Sequence, residues 1–369
     1  MAFALTQEQR AFMATTRELA RTEFAPLAEA EEEGRVNRPL VQSLGRNGLL
    51  QRLFPARALE LCLLREALAL ECVEAETALA LQGLGAYPIF LAGRPALAER
   101  WIPLVARGEA IAAFALTESK AGSDAAALEL RAERDGDGFR LTGAKKWISN
   151  APDADVYTVF ARTSEERSKG ITAFVVAGDA KGVSGSRLKL VSPHPVGTVE
   201  LDGVFVTADD VLGEVGRGFR VAMATLDLFR PSVGAFAVGI AESAIELALA
   251  HAATREAFGR PLREFQAVSH QLAEMATTTE AARHLVYAAA QSVDDGATGM
   301  TKSSAMAKLF ATETAQKVVD AAIQIHGAVA LEEGHPLERL YREVRAPRIY
   351  EGTSEIQREV IARELFRAR

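Results

Sequence analysis

One acidic residue near the C-terminus stands where a catalytic base would be useful. It is Glu351, in the segment Tyr350-Glu351-Gly352-Thr353-Ser354, and an apolar-periodic run follows from Ile356. Thr353 or Ser354 can act as N-cap of the helix that this run predicts, so Glu351 lies on the loop leading into the helix. A loop carboxylate held by a rigid helix can be aimed at a substrate as a general base. For an isolated glutamate the alternative is a solvated loop acid, since charged residues are mostly exposed.

Three further segments carry motifs in order along the chain. They are Phe114–Asp124 (FALTESKAGSD), Lys145–Asn150 (KKWISN) and Arg255–Gln266 (REAFGRPLREFQ). Together with the Glu351 segment they resemble the acyl-CoA dehydrogenase family. The family pattern is A-x-T-E-x-x-A-G-S-D, W-I-[ST]-N, R-x-x-F-G-x-P-[LI]-x-x-F-Q and Y-E-G-T-x-x-I-Q. Four motifs in the family order cover most of the chain from about residue 114 onward and are far more specific than any one of them.

The chemistry implied by this resemblance is oxidation of the Cα–Cβ bond beside a thioester. That reaction needs a base for the α-proton, an acceptor for the β-hydride and donors for the charge on the carbonyl oxygen. No side chain accepts a hydride, so the acceptor must be a cofactor, and the resemblance implies FAD, with its N5 facing the β-carbon. Some family members carry the base at the position of Phe229, which cannot abstract a proton. Glu351 is therefore the only base that the motifs support.

The resemblance also assigns binding roles to residues that match the motifs. Residues expected to bind FAD in the same subunit are Leu116, Thr117, Gly122, Ser123, Trp147 and Ser149. Residues expected to reach the FAD of a neighbouring subunit are Arg255, Phe258, Gln266, Gln324 and Gly327, with Thr353 and Glu355 beside the adenosine part. Residues expected beside the acyl-CoA are Ser123, Asp227, Arg230, Tyr350 and Gly352.

Several of these residues have simpler interpretations when taken alone. Trp147 is then more typical of a core residue, Arg255 of an exposed helix charge and Ser123 of a turn. Asp227 and Arg230 could equally form an ion pair at a helix end.

Composition excludes several classes of protein. The chain has 369 residues and a formal charge of −7, which favours two or three domains and disfavours a nucleic-acid surface, since phosphate binding needs clustered Lys and Arg. The two cysteines, Cys62 and Cys72, form no C-x-x-C pair, so we predict neither a metal site nor a disulfide framework. No signal peptide is visible, and no apolar run approaches the roughly 18 residues of a transmembrane helix, so we expect a cytoplasmic protein.

The order of the predicted elements gives an α+β multidomain fold. Residues 1–111 are predicted as an α-helical domain that starts at a capping box, Thr6 to Gln9. Residues 112–212 carry short β runs separated by Asp-Gly turns, among them Asp202-Gly203, and predict a small β-barrel-like domain. Residues 213–369 are predicted as a four-helix bundle, with helices at 219–254, 264–293, 301–325 and 353–367. The resemblance implies the same layout.

Two departures from the family pattern concern binding. After Pro55 the chain lacks the Tyr-Gly-Gly-rich loop usual in the family, and we hypothesise a shorter or more open acyl pocket. Ala328 and Ala330 replace glycines, which is costly if those positions need a positive φ or approach the neighbour's FAD closely. The acyl chain and its carrier, CoA or an acyl carrier protein, stay open because a pocket discriminates one methylene by only about 1–3 kcal/mol.

Three functions are compatible with these residues. The first is an FAD-dependent acyl-CoA dehydrogenase that passes electrons to electron-transfer flavoprotein and forms a homo-oligomer, a dimer of dimers. The second is an oxygen-using flavoenzyme of the same fold, an acyl-CoA oxidase or a monooxygenase. The third is a non-catalytic FAD-binding or nucleic-acid-associated relative, which the presence of Glu351 and the acidic net charge disfavour.

Overall fold

The structure is a computed structural model that describes residues 5–367. Its α-helices are α1 Gln7–Leu19, α2 Ala25–Glu29, α3 Arg38–Arg46, α4 Ala58–Glu71, α5 Val73–Ala92, α6 Pro95–Ala106, α7 Gly218–Thr254, α8 Gln266–Asp294, α9 Met300–His326, α10 Pro336–Val344 and α11 Ser354–Arg367. Its strands are β1 Ala112–Ala115, β2 Arg131–Asp135, β3 Gly138–Ser149, β4 Val156–Arg162, β5 Ile171–Ala177, β6 Val183–Ser184, β7 Arg187–Leu188, β8 Val196–Thr207, β9 Val211–Leu212, β10 Glu256–Ala257 and β11 Arg260–Pro261.

The contacts divide the chain into two compact units. One contains the residues up to Thr22, Arg57–Glu76 and the residues from Leu228 onward, and the other contains Glu23–Ala56 and Thr77–Asp227. We call them the helical unit and the sheet unit. The predicted domain boundaries after residues 111 and 212 stay predictions.

The four long helices predicted for the C-terminal region are confirmed as α7, α8, α9 and α11. The capping box is also confirmed, because the Thr6 side chain accepts from the Gln9 N–H while the Gln9 side chain accepts from the Thr6 N–H. The helix α10 was not predicted, since its nine residues are too short for a clear period.

In the sheet unit, a nine-stranded sheet has the order β6-β8-β3-β2-β4-β5-β9, with β1 paired to β4 and β7 paired to β8. The β domain predicted from the sequence is thus present, but one of its turns is wrong. Asp202-Gly203 lies inside β8, and the register between β8 and β3 shifts between Leu141 and Gly143. Gly203 supplies a left-handed residue, φ +62°, at this irregularity, so the Asp-Gly pair interrupts a ladder rather than ending a strand.

The helical unit fixes the position of α4. Its first two N–H groups, at Ala58 and Leu59, donate to the Asp294 carboxylate of α8 at 2.7 and 3.1 Å. Donors in the first turn of a helix have no intrahelical partner, so this carboxylate acts as a distant cap. A Cβ at Gly239 of α7 would lie 2.6 Å from the Glu66 carbonyl oxygen, so only glycine permits this close approach of α7 to α4.

Buried ion pairs hold α4 further. Glu66 accepts from Arg283 Nε and from the Tyr287 hydroxyl of α8, both at 2.8 Å. Arg283 also donates to Glu242 of α7 at 2.8 Å. Apolar residues of α4, α7, α8, α9 and α10 form one continuous core around these pairs.

Within the described residues, α7 is the one helix long and apolar enough to cross a membrane, which corrects the expectation that no segment would be. However, 67% of its most apolar window is buried inside the protein, as is typical of a core helix.

Candidate active site

The turn that carries Glu351 has a left-handed backbone. Glu351 has φ +52° and Gly352 has φ +90°. The helix α11 begins directly after the turn, and Thr353 Oγ1 accepts from the Ile356 N–H at 3.3 Å, which confirms Thr353 as the N-cap. A non-glycine residue in this conformation costs roughly 1–3 kcal/mol and persists only where its surroundings hold it.

Side chains from two helices hold this turn. On α11, Gln357 Nε2 donates to the Glu351 carbonyl at 3.2 Å and to the Gly352 carbonyl at 3.0 Å. On α9, Lys308 Nζ donates to the Gly352 carbonyl at 2.7 Å. The conformation of Glu351 is therefore fixed by bonds to its own backbone and to the next peptide.

The Glu351 carboxylate is poorly solvated. Its Oε2 atom is buried and makes no hydrogen bond with the part of the chain that the structure describes. Burial raises the pKa of this carboxyl above its usual range, and the charges of Arg65, Arg230 and Lys308 oppose that rise. The interpretation of Glu351 as a solvated loop acid is wrong, because a solvated acid would have neither property.

The cation with the largest effect on Glu351 is Arg65, which the sequence analysis missed. Its side chain is 3% exposed and forms an ion pair with Glu76, itself 1% exposed. Arg65 Nη1 also donates to Ser232 Oγ at 2.6 Å, and Ser232 Oγ donates to the Phe229 carbonyl at 2.6 Å. The available signal was one arginine inside the otherwise apolar run LCLLREALAL.

The remaining residues predicted beside the acyl-CoA lie on α7 and on the Glu351 turn. Asp227 and Arg230 are in the interior of α7, not at a helix end as one interpretation required. Arg230 is 8% exposed and Phe229 is fully buried. Burial raises the pKa of Tyr350 well above its usual range, so its hydroxyl stays protonated at neutral pH.

In the sheet unit, a buried lysine fixes the loop that follows β1. Lys145 Nζ of β3 donates to the Leu116 carbonyl at 3.0 Å and to Glu118 Oε1 at 2.8 Å. The Lys146 N–H donates to the Thr117 carbonyl at 3.1 Å. Leu116 is buried, whereas Gly122 and Ser123 farther along the loop are exposed.

Trp147 is not a core residue. It has φ +58° near the end of β3, and its side chain is 45% exposed. Asn150 has φ +64°, and its side chain donates to the Ala112 carbonyl at 2.8 Å, which ties the end of the segment to β1. Ser149, between them, is half-buried. The segment thus presents a large aromatic face instead of burying it.

A second aromatic side chain is presented by the β10–β11 hairpin of the helical unit. Phe258 stands at its tip with φ +52° and is 97% exposed. Arg255 and Gln266 flank the hairpin and are also exposed. This exposure is compatible with a role toward a neighbouring subunit.

The other predicted cofactor residues lie at the end of α9 and the start of α11. Gln324 and Gly327 are exposed, and Gly327 has φ +70°. Glu355 is exposed in the first turn of α11. Ala328 and Ala330 lie outside the left-handed region, so a Cβ at these positions imposes no backbone strain.

The chain was compared with known proteins. It matches the models of the acyl-CoA dehydrogenase N-terminal domain over residues 6–109, middle domain over 113–204 and C-terminal domain over 216–366. It is 36% identical to cyclohexane-1-carbonyl-CoA dehydrogenase of Geobacter metallireducens, over 99% of each chain.

Solved structures of the same fold agree with these matches. Butyryl-CoA dehydrogenase from Megasphaera elsdenii has a TM-score of 0.93 and 33% identity, over 99% of this chain and 100% of that one. The FAD complex of PigA has a TM-score of 0.93 and 25% identity, over 99% of each chain. The predicted layout of helical, β and helical domains is confirmed. The chain is an oxidoreductase and belongs to the acyl-CoA dehydrogenase family, whose members depend on FAD.

Proposed function

We propose that this protein converts an acyl-CoA thioester to the trans-2-enoyl-CoA and that Glu351 removes the α-proton. The observation that supports this most directly is the Glu351 carboxylate, which is buried, without a hydrogen-bond donor on Oε2, and held in a left-handed turn. A structural carboxylate would be expected to accept hydrogen bonds, whereas a base must keep a lone pair available.

The electrostatic environment suits this role. Burial makes the Glu351 carboxylate more basic than an exposed one, and Arg65, Arg230 and Lys308 stabilise the anionic form that accepts a proton. Arg65 and Lys308 hydrogen-bond to other groups and leave the carboxylate unblocked. The Glu351 N–H is proposed to donate to the thioester oxygen, which would acidify the α-proton.

FAD is proposed as the cofactor, and when bound it supplies the acceptor for the β-hydride. The exposed aromatic faces of Trp147 and Phe258 fit a planar cofactor, because large apolar surfaces are usually covered in the working assembly. The residues proposed to hold FAD are Leu116, Thr117, Gly122, Ser123, Trp147, Ser149, Thr353 and Glu355. Those proposed to contact the FAD of a neighbouring subunit are Arg255, Phe258, Gln266, Gln324 and Gly327.

The substrate and the partners follow from the same proposal. Ser123, Asp227, Arg230, Tyr350 and Gly352 are proposed to contact the acyl-CoA. Electron-transfer flavoprotein is proposed as the electron acceptor, a dimer of dimers as the assembly and the cytoplasm as the location. The related enzyme from Geobacter metallireducens is named for a cyclic acyl-CoA, so cyclic esters belong among the first substrates to test.

The test is anaerobic mixing of the FAD-loaded protein with straight, branched and cyclic acyl-CoA esters, followed by flavin absorbance and by analysis for enoyl-CoA. We expect bleaching with at least one ester, rapid reoxidation by electron-transfer flavoprotein and slow reoxidation in air. Rapid reoxidation in air would instead support an oxygen-using enzyme. Failure of every ester to bleach bound FAD would contradict an acyl-CoA substrate.

A further inference from the structure

A buried lysine lies directly beside the turn that carries Glu351. Lys308 of α9 is fully buried, and its Nζ donates to the Gly352 carbonyl at 2.7 Å. Burying an ammonium group is costly unless the protein uses its charge or its hydrogen bonds. No carboxylate of the described chain lies within ion-pair distance of this Nζ, so its single hydrogen bond leaves the charge uncompensated by direct contact.

The charged groups around Lys308 come from each element packed against it. They are Glu351 on the turn, Arg230 on α7, Glu313 on α9 and Glu355 on α11. Glu313 is already bound, because it accepts from Ser354 Oγ at 2.6 Å and from Arg348 Nε at 3.0 Å. Glu355 is exposed. Glu351 is thus the buried acid toward which the charge of Lys308 acts.

We propose that Lys308 is a positioning residue for Glu351, holding the left-handed turn through the Gly352 carbonyl and keeping the base ionised through its charge. This inference rests on the proposed role of Glu351 as the base. The two contributions are separable, because Gln357 makes an uncharged bond to the same carbonyl. Removing Gln357 weakens the tether alone, whereas removing Lys308 removes a tether and a charge.

The direction of the pH effect follows from the signs of the charges. Lys308 lowers the pKa of Glu351, so its loss raises that pKa and moves the acidic limb of the pH profile to higher pH. A nearby opposite charge moves a carboxyl pKa by about 1–3 units. Because Arg65 and Arg230 remain, we expect the lower end of that range, about one unit.

Burial also lowers the pKa of Lys308, to about 8, while Glu351 raises it. The two groups are therefore coupled, and replacing Glu351 by glutamine removes a contribution that favours the charged lysine.

The experiment compares Lys308→Met with Gln357→Leu and Lys308→Arg in the FAD-loaded protein. The rate of flavin bleaching by acyl-CoA is measured against pH. We expect Lys308→Met to shift the acidic limb up by about one unit, a loss of about tenfold below the limb that recovers at higher pH. Gln357→Leu should lower the rate at every pH without moving the limb, and Lys308→Arg should restore the limb.

A second readout does not depend on turnover. Infrared difference spectra of protein carrying ¹³C-labelled glutamate, with Glu351→Gln as the reference, measure ionisation of Glu351 directly. An unchanged Glu351 titration in Lys308→Met, together with a lower melting temperature, would show a merely structural lysine and overturn the proposal. Failure of the wild-type protein to bleach would count against the proposed function, while the infrared titration would still decide the role of Lys308.

Discussion

Replacing Arg65 by methionine removes the buried cation with the largest opposing effect on the pKa of Glu351. The substitution also leaves Glu76 without its partner at 1% exposure. Breaking a buried ion pair by removing one partner typically costs about 3–5 kcal/mol. Ser232 Oγ keeps its bond to the Phe229 carbonyl, so little further loss is expected there. We therefore expect Arg65→Met to lower the free energy of unfolding of the helical unit by about 3–5 kcal/mol.

The matched control is the double variant Arg65→Met with Glu76→Gln. It removes both charges, and replacing a buried pair as a whole is often neutral or stabilising. We expect the double variant to recover most of the loss, so that the double-mutant cycle gives a coupling energy above about 1 kcal/mol. Its acidic limb should nevertheless stay shifted upward, because Glu351 still lacks the charge of Arg65.

The assay is urea unfolding of the FAD-loaded protein followed by far-ultraviolet circular dichroism. Tryptophan fluorescence is unsuitable, because Trp101 and Trp147 both lie in the sheet unit whereas Arg65 and Glu76 lie in the helical unit. Wild-type stability of Arg65→Met, or a double variant as unstable as the single one, would refute this assignment of energy to the buried pair.

Two remaining substitutions test the turn and the hairpin. In Gly352→Ala the new Cβ would meet Gln357 Nε2 at 2.6 Å with φ at +90°, so bleaching should slow at least about tenfold; Gly296→Ala, at φ +61° with no atom within 4 Å, controls for backbone strain and should bleach normally. Phe258→Ala, at a side chain 97% exposed, should leave the melting temperature unchanged but lower the FAD-to-protein ratio after gel filtration, unlike Phe366→Ala at 76% exposed; equal FAD retention in both variants would argue against a cofactor role for Phe258.

Local sequence signals predicted the features that depend on neighbouring residues. The capping box at Thr6, the N-cap at Thr353 and the loop position of Glu351 each follow from residues within one helical turn. The long helices were equally accessible, because their apolar period is sustained over 14 to 37 residues. Motif order supplied the family.

The electrostatic environment of Glu351 could not be predicted in the same way. Arg65 and Lys308 are 286 and 43 positions from Glu351 in sequence, and tertiary packing alone brings their charges to bear on it. In a sequence each is a single basic residue in an apolar helix, which is equally compatible with an exposed side chain. Asp202-Gly203 failed for a related reason, since pairing with β3 continues β8 through a local turn signal.

Phe258 and Trp147 show a different limit. Their large side chains indicated burial by composition, but left-handed backbone at both positions presents the rings to the outside. Only the family motif, and not hydrophobicity, distinguished them from core residues.

The central claim is that Glu351 is the base, and Glu351→Gln tests it most directly. Glutamine keeps the size of the side chain but cannot accept the α-proton. The measurement is the single-turnover rate of anaerobic flavin bleaching in wild type and variant with the best acyl-CoA ester, at equal FAD content. We predict retained FAD and ligand binding with a rate lower by about 10²–10⁴-fold. Bleaching at a rate near that of wild type would contradict the assignment of Glu351.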